Sequence, residues 1–292
     1  LLERGDAESP QGPSLMPAAP SALSMLDTEL GTNDTPEGER RVALARWITA
    51  KNNPLPARVI ANRMWQWHFG QGLVNTSSDF GAGGDTPSHP QLLDWLANQL
   101  IDQQWSLKRL HKIILLSETY QQQSTFQLDS PALSIDAGNR LQWRQNPRRL
   151  EAEAIRDSVL FLSGKLNSQR GGPGFEDFRY QDAYAPIYTY ITADKPELWR
   201  RSIYRYIVRT TPDRFLRTLD CPDAANLTAK REITTTPLQS LTLYNNDFML
   251  RQARYFSERV RKSSQSDTEQ QLRVAFQLTY TRLPTSTETQ IA

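Results

Sequence analysis

Apolar residues recur every three or four positions through most of this chain, which is the spacing of an amphipathic helix with one buried face. The pattern predicts helices over residues 39–53, 56–70, 88–103, 106–123, 146–164, 237–260 and 268–283. The first should end at Asn53, because Pro54 disfavours helical backbone in the residue before it. Gly70 is expected to end the second as a left-handed cap, and Pro237 suits the first turn of the sixth.

The middle of the chain has a different pattern. Glycines are followed by two segments in which aromatic and β-branched residues alternate roughly, "AYAPIYTYI" and "RRSIYRYIVRT". These two segments could pair as a small antiparallel ribbon, with Pro186 confining the first to an edge. The sequence therefore predicts a mainly α fold, an irregular multi-helix globular domain with a small antiparallel β-ribbon in the middle of the chain.

The same patterns divide the chain into four segments. Residues 1–38, rich in Pro, Gly and Ser, indicate an extended linker or strap, and residues 39–165 form a helical core region. Residues 166–236 hold the glycine- and aromatic-rich loop and ribbon, and residues 237–292 hold the C-terminal helices. We expect one compact domain overall. We also expect a piece of a longer polypeptide, because Leu1 is not an initiator methionine and Thr285 and Glu288 begin a helix close to the last residue.

Composition narrows the classes of protein. The 34 Lys and Arg nearly balance the 32 Asp and Glu, so nothing in the overall charge favours a nucleic-acid partner. No apolar run is long enough to cross a bilayer. The single cysteine, Cys221, excludes an internal disulfide, a paired-thiolate metal site and a C-x-x-C-H haem motif within these residues.

The stretch "SSDFGAGGDTPSHPQLLDW" supports two interpretations. Ser88 followed by Gln91 has the spacing of a capping box, which would make the stretch the start of a helix. Alternatively, Asp79, Asp85 and His89 hold a metal ion or act as acid and base. A metal site needs three or four converging ligands and only one histidine is near in sequence, so the structural interpretation is favoured and no metal is expected.

The segment "RRLEAEAIRD" carries the second group of candidates, Arg148, Arg149, Glu153 and Asp157. Glu153 and Asp157 are four residues apart and share a helix face, a geometry that could serve acid–base or glycosidic chemistry. Ion-paired, solvated helices show the same pattern routinely, and that interpretation is favoured. Both groups of residues together form the candidate polar site.

The remaining reactive side chains point to structural roles. His111 lies on an apolar helix face and is expected to be a hydrogen-bonded core residue, and His68 is expected to pack among aromatic residues. The spacings give no support to a zinc centre built from these two histidines and His89. Cys221 has no histidine after it in the sequence to act as its base, so a structural thiol is expected.

Several long motifs occur in a recognisable order: "RRVALARWITAKNNPLPARVIANRMWQWHFGQGLVNTSSDFGAGGDTPSHPQLLDWLA", "WSLKRLHKIILLSETYQQQS", "NRLQWRQNPRRLEAEAIRD" and "TTTPLQSLTLYNNDF". Over nearly the whole chain the sequence resembles the planctomycete-type, cytochrome-c-associated C-terminal domain of unknown function (PSD type). The resemblance implies an extracytoplasmic location, either periplasmic or on the cell surface, and upstream cytochrome-type domains on the same polypeptide as partners. Any haem c would then lie elsewhere in the full-length protein, with no cofactor in this segment. The resemblance supplies no catalytic residue.

Two functions are compatible with these observations. The favoured one is a helical accessory or interaction module of a larger exported, cytochrome-linked protein. The alternative is an enzyme domain acting on complex polysaccharide outside the cytoplasm, with the polar loops forming its cleft. A carbohydrate ligand is compatible with both, because six of the seven tryptophans lie before residue 150 and could stack on sugars, although core packing is favoured for them.

Overall fold

The computed structural model describes residues 15–23, 25–192, 194–264 and 267–291. The chain divides into two compact units, and the boundary in sequence lies between Arg148 and Arg149. The predicted linker or strap lies outside the described residues over positions 1–14 and at position 24. The four predicted segments and the expectation of one compact domain stay predictions.

Helices supply most of the regular structure in both units. The first unit contains α1 (Glu37–Ile48), α2 (Pro54–Phe69), α3 (Pro90–Asp102), α4 (Leu107–Leu115) and α5 (Pro131–Ile135). The second unit contains α6 (Ala152–Leu162), β1 (Phe178–Gln181), β2 (Ile187–Tyr190), two 3-10 turns (Pro196–Trp199 and Ser202–Tyr204), α7 (Arg214–Thr218), α8 (Pro237–Asn245), α9 (Asp247–Ser264), α10 (Thr268–Tyr280) and α11 (Ser286–Ile291). The predicted mainly helical fold with a small antiparallel ribbon is confirmed.

Several predicted helix ends are confirmed by their capping geometry. Gly70 ends α2 with a φ of 83°. Thr236 accepts a hydrogen bond from the backbone N–H of Gln239 while the Gln239 side chain accepts one from the backbone of Thr236, and this capping box begins α8. The single helix predicted over residues 237–260 is wrong, because Asn246 adopts extended backbone between α8 and α9 and its Oδ1 accepts the N–H of Phe248.

The predicted pairing of the ribbon is also wrong. β2 does come from "AYAPIYTYI", but its partner is β1, with Phe178 opposite Tyr190 and Gln181 opposite Ile187. The segment "RRSIYRYIVRT" forms a 3-10 turn and lone bridges instead. The physical reason is the buried ion pair of Arg205, whose guanidinium lies 2.7 Å from a carboxylate oxygen of Asp177. This ion pair, and not a strand partner, sets the backbone path of the segment.

The core of the first unit lies between α2, α3 and α4. The Trp65 and Phe69 rings stack with their centroids 4.1 Å apart. Its fully buried side chains include Met64, Phe69, Leu96, Leu100, Leu110 and Ile114. By contrast, Val42, Leu44 and Ile48 of α1 are more than 40% exposed and stay outside this core. α1 also ends at Ile48 and not at the predicted Asn53.

Asn62 fastens the chain that follows α2 back onto that helix. Its Oδ1 accepts the backbone N–H of Val74 at 2.8 Å, and its Nδ2 donates to the Val74 carbonyl at 2.9 Å. Gly72 lies in the intervening turn, where a Cβ would lie 2.4 Å from that carbonyl oxygen, so only glycine fits. The two hydrogen bonds satisfy a fully buried amide and hold Leu73 and Val74 in the core.

In the second unit, α6 is anchored by a buried arginine. The Arg156 residue is 7% exposed, and its guanidinium donates to the carbonyls of Leu198 at 2.6 Å and Arg200 at 3.0 Å. It also donates to the hydroxyl of Ser202 at 3.2 Å. Those three acceptors lie in the irregular segment between β2 and α7, where no ladder supplies their hydrogen bonds. Arg156 therefore takes the place of regular secondary structure for this segment.

Replacing Arg156 with methionine should destabilise the protein by about 3 kcal/mol, because it leaves the buried carbonyls of Leu198 and Arg200 without their donor. Denaturant unfolding monitored by circular dichroism measures the change. Arg273→Ala is the matched control, since Arg273 forms an exposed pair with Glu269 at 3.0 Å and its loss should cost less than about 0.5 kcal/mol. Equal effects from the two substitutions would contradict an anchoring role for Arg156.

Candidate functional site

The glycine-rich loop of the first unit is held by its own aspartate. Asp79 Oδ1 accepts the backbone N–H of Gly81 at 2.8 Å, and the Thr76 hydroxyl donates to the Asp79 carbonyl at 2.8 Å. The same Thr76 oxygen accepts the backbone N–H of Asp85 at 2.9 Å. At Gly84 a Cβ would lie 2.2 Å from the Asp79 carbonyl oxygen, so the turn requires glycine there. Asp79 thus forms part of a tight turn.

The predicted capping box at the end of this loop is wrong. α3 begins at Pro90 with His89 as its N-cap, and no side chain caps it. The Ser88 hydroxyl lies 3.0 Å from Nδ1 of His89, and the Ser88 backbone N–H donates to the Leu73 carbonyl at 2.8 Å. Because these two contacts fix Ser88 from both sides, its oxygen does not meet the N–H of Gln91.

Two of the three histidines form a pair. His68 Nε2 and His111 Nδ1 are 2.8 Å apart, and the ring of Tyr120 meets His68 edge-on at 5.4 Å between centroids. The predictions that His111 is hydrogen-bonded and that His68 packs among aromatic residues are confirmed, but His111 is half-buried and not a core residue. His89 contacts Ser88 instead. Within the described ranges, no group of three or more His, Cys, Asp or Glu side chains is placed to hold a metal ion.

Burial, then the nearby His111 and then Arg148, lower the pKa of His68 below its ordinary value. A histidine with a lowered folded pKa binds fewer protons when folded than when unfolded over the interval between the two pKa values. Its contribution to stability is therefore complete above the unfolded pKa and decreases as the pH falls towards the folded pKa.

We accordingly expect the free energy of unfolding to decrease as the pH is lowered from 7.5 to 5.5, in part through His68. His68→Gln, which cannot take up a proton, should show a shallower decrease over the same range. Thermal unfolding of both proteins across this pH range measures the difference. Identical pH profiles for the two would contradict the account of the histidine pair.

In the second unit, Arg149 is committed to Asp220. One guanidinium nitrogen donates to Asp220 Oδ2 at 2.5 Å and to the Leu219 carbonyl, and the other donates to the Thr234 carbonyl at 2.7 Å. The backbone N–H and hydroxyl of Thr234 and the side chain of Gln239 complete the shell of Asp220. Although burial acts to raise it, these hydrogen bonds hold the pKa of the Asp220 carboxyl below its usual range.

Glu153 forms a bidentate ion pair with Arg231. Arg231 donates to its two carboxylate oxygens at 2.7 and 3.0 Å, and the Cys221 Sγ lies 3.6 Å from Oε1. Burial acts to raise the pKa of Glu153, but the hydrogen bonds from Arg231 bring it below the ordinary value. Burial and the adjacent Glu153 carboxylate raise the pKa of Cys221 to about 11. At neutral pH this pair is therefore a carboxylate and an unreactive thiol.

Asp157 lies one turn further along α6 and has a different set of partners. Its Oδ1 accepts both the backbone N–H and the hydroxyl of Ser202 at 2.7 Å. Arg156 and Arg201 lie within ion-pair distance at 3.5 and 3.6 Å. The Asp157 side chain is 19% exposed. The carboxylate is thus part of the same anchor that holds the irregular segment onto α6.

The structure separates the candidate site residues between the two units. The first unit holds four of them: Asp79, Asp85, His89 and Arg148, the last donating to the carbonyl of Trp67. The second unit holds three: Arg149, Glu153 and Asp157. Of the latter, Glu153 and Asp157 line one cavity of about 450 Å³, together with the Cys221 thiol. The favoured interpretation of solvated ion pairs fails here, because the Glu153 and Asp157 side chains are largely covered and pair with distant segments.

A second cavity, which the sequence did not indicate, lies beside β2. It measures about 530 Å³, and Tyr190, Arg205 and Asp213 belong to the walls of both cavities. Arg205 donates to Asp177 at 2.7 Å, lies 3.1 Å from Asp213 and stacks over the Tyr190 ring. The only sequence signal for this cavity was the alternation of aromatic and β-branched residues around Arg205. That alternation predicted a strand and gave no indication that Arg205 is buried.

The chain with this mainly helical fold and arginine-rich second unit is similar to one known protein family. Residues 40–292 match PSD1, described as a protein of unknown function (DUF1553), and the chain belongs to that family. No curated protein and no solved structure matches the chain. None of the helices in the described part of the chain has the length and apolarity needed to cross a bilayer.

Proposed function

We propose that this chain is a noncatalytic accessory or interaction module of a larger exported, cytochrome-linked polypeptide. The observation that carries the proposal is that the charged groups around α6 are already paired with other side chains of the protein. Glu153 is paired with Arg231, Asp157 with Ser202, and Asp220 with Arg149 and Thr234. A general acid needs a pKa raised towards the working pH, whereas the pKa values of Glu153 and Asp220 are lowered.

The thiol of Cys221 supports the same proposal. A nucleophilic cysteine needs a lowered pKa, usually from a neighbouring cation or histidine. Cys221 instead faces the Glu153 carboxylate, which together with burial raises its pKa to about 11. The polar groups that line this cavity therefore hold the fold in place and are not suited to covalent catalysis.

The exported, cytochrome-linked context rests on the resemblance of the ordered motifs to the cytochrome-associated family. In this proposal, the partners are upstream cytochrome-type domains of the same polypeptide, which carry any haem c, and a carbohydrate is the ligand of the module. Cell fractionation with haem staining of the full-length polypeptide tests this context. Recovery in the cytoplasmic fraction without haem would contradict it.

The alternative is an enzyme domain acting on complex polysaccharide. One observation favours it: Glu153 and Asp157 line the same cavity, as a pair of catalytic carboxylates would. Both carboxylates, however, already accept two close hydrogen bonds from the protein itself. Three of these four carboxylate oxygens accept those bonds, and the fourth, Asp157 Oδ2, lies 3.6 Å from Arg201, so the pair is a weak basis for glycosidic chemistry.

Glu153→Gln separates the two functions. If Glu153 is structural, the change should lower the free energy of unfolding by about 1 kcal/mol, because Arg231 loses the closer of its two carboxylate partners and keeps only Glu151 at 3.5 Å. If Glu153 is catalytic, the change should abolish turnover and tend to stabilise the fold. Unfolding in denaturant and release of reducing ends from a panel of polysaccharides measure both quantities.

Glu269→Gln is the matched control for this experiment. Glu269 pairs with Arg273 on the exposed face of α10, so its replacement should change stability by less than about 0.5 kcal/mol. Turnover by the unmodified chain that disappears in Glu153→Gln, with stability unchanged or increased, would overturn the proposed function.

A further inference from the structure

The cavity beside β2 has the size and lining of a small-ligand site. Its volume of about 530 Å³ falls within the range of roughly 300–1,000 Å³ that such sites occupy. Tyr188 and Tyr190 reach it from one face of β2, Trp199 from the 3-10 turn and Phe248 from the start of α9. These four rings are half-buried, so part of each faces open space. The rings offer flat apolar surfaces on several sides of the cavity.

The charges around this cavity balance. Three arginines and three aspartates line it: Arg156, Arg205, Arg214, Asp177, Asp194 and Asp213. Arg205 is already neutralised by two of these aspartates, at 2.7 and 3.1 Å. A polyanion or a polycation would meet as much repulsion as attraction here. The cavity is therefore matched to a ligand without net charge.

Two side chains at the cavity have hydrogen-bond donors without a partner among the described residues. Gln252 is 2% exposed, and its Oε1 accepts the Ser163 hydroxyl at 2.7 Å. Its Nε2 meets no hydrogen-bond partner among the described residues. Arg214 is exposed at the cavity rim, and its guanidinium likewise makes no hydrogen bond or ion pair with a described residue. The Gln252 amide donor and the Arg214 guanidinium are therefore free to donate to a ligand oxygen in the cavity.

We propose that this cavity binds a neutral saccharide. The partly exposed aromatic rings would stack on the C–H faces of a pyranose, and the Gln252 amide and Arg214 guanidinium would donate to its hydroxyl or ring oxygens. Asp177 lines the wall, and its buried Oδ1 has no partner in the described structure. The inference rests on the proposed function, since it names the ligand class of a binding module.

The test uses the full 292-residue chain. It is first screened on an array of neutral oligosaccharides that also carries sulfated ones, and the strongest ligand is then titrated by calorimetry. We expect saturable binding to a neutral glycan. Arg214→Ala and Gln252→Leu should each weaken it about fivefold or more, as the loss of one hydrogen bond does. Arg209→Ala is the matched control, because Arg209 is equally exposed but lines the other cavity.

Trp199 provides a second readout that does not depend on the stability of the Gln252 variant. It is the one tryptophan after Arg149 in the sequence, so a fluorescence change on ligand binding at this cavity should come from it. Trp199→Phe keeps an aromatic ring and should bind within about threefold of the unmodified chain. The ligand-induced fluorescence change should disappear in that variant.

Three results would overturn the inference: a folded chain that binds no neutral glycan, binding to sulfated glycans alone, or equal binding by the Arg214 and Arg209 variants. A fluorescence change that survives in Trp199→Phe would also place the ligand elsewhere. Failure of the proposed function is distinguishable from these results. Release of reducing ends from a bound glycan would refute a noncatalytic module while leaving the saccharide site intact.

Discussion

The second unit depends on one buried cation. Arg156 projects from α6 and donates to the carbonyls of Leu198 and Arg200 and to the hydroxyl of Ser202. A buried guanidinium is costly unless its donors are used, and backbone carbonyls in an irregular segment are costly unless they are satisfied. The guanidinium donors and the carbonyl acceptors therefore satisfy each other. The path of the chain between β2 and α7, and with it the walls of both cavities, follows from this match.

The neighbours of Arg156 on α6 extend the same principle. Arg149 precedes it and meets Asp220, Glu153 meets Arg231, and Asp157 meets Ser202. All three partners lie outside the α-helices and strands, two in loops and Ser202 at the start of a 3-10 turn. The short polar segment from Arg149 to Asp157 thus satisfies backbone and side chains contributed from about 45 to 85 residues further along the chain. Charged groups used in this way are unavailable as free acids, bases or metal ligands.

This arrangement explains which structural features could be predicted from the sequence and which could not. Some helix ends depend on neighbouring residues, and there the predictions were confirmed: Gly70 ends α2, and Pro237 begins α8. The four-residue spacing correctly put Glu153 and Asp157 on one helix, but Arg149 lies before its first residue, Ala152, and the spacing suggested pairs within the helix. Their actual partners are set by the tertiary fold, which local spacing does not encode. The Ser88–Gln91 capping box failed for a similar reason, since a distant carbonyl, that of Leu73, fixes Ser88.

The central claim is that the carboxylates of α6 are structural, and the protonation of Glu153 tests it most directly. A titration of the Glu153 side-chain carboxyl by carbon-13 NMR, in the full chain, gives its pKa without perturbing the Arg231 pair. The account predicts a pKa below the ordinary value for glutamate, because the hydrogen bonds from Arg231 outweigh the effect of burial. A pKa raised above that value, as a general acid requires, would contradict it.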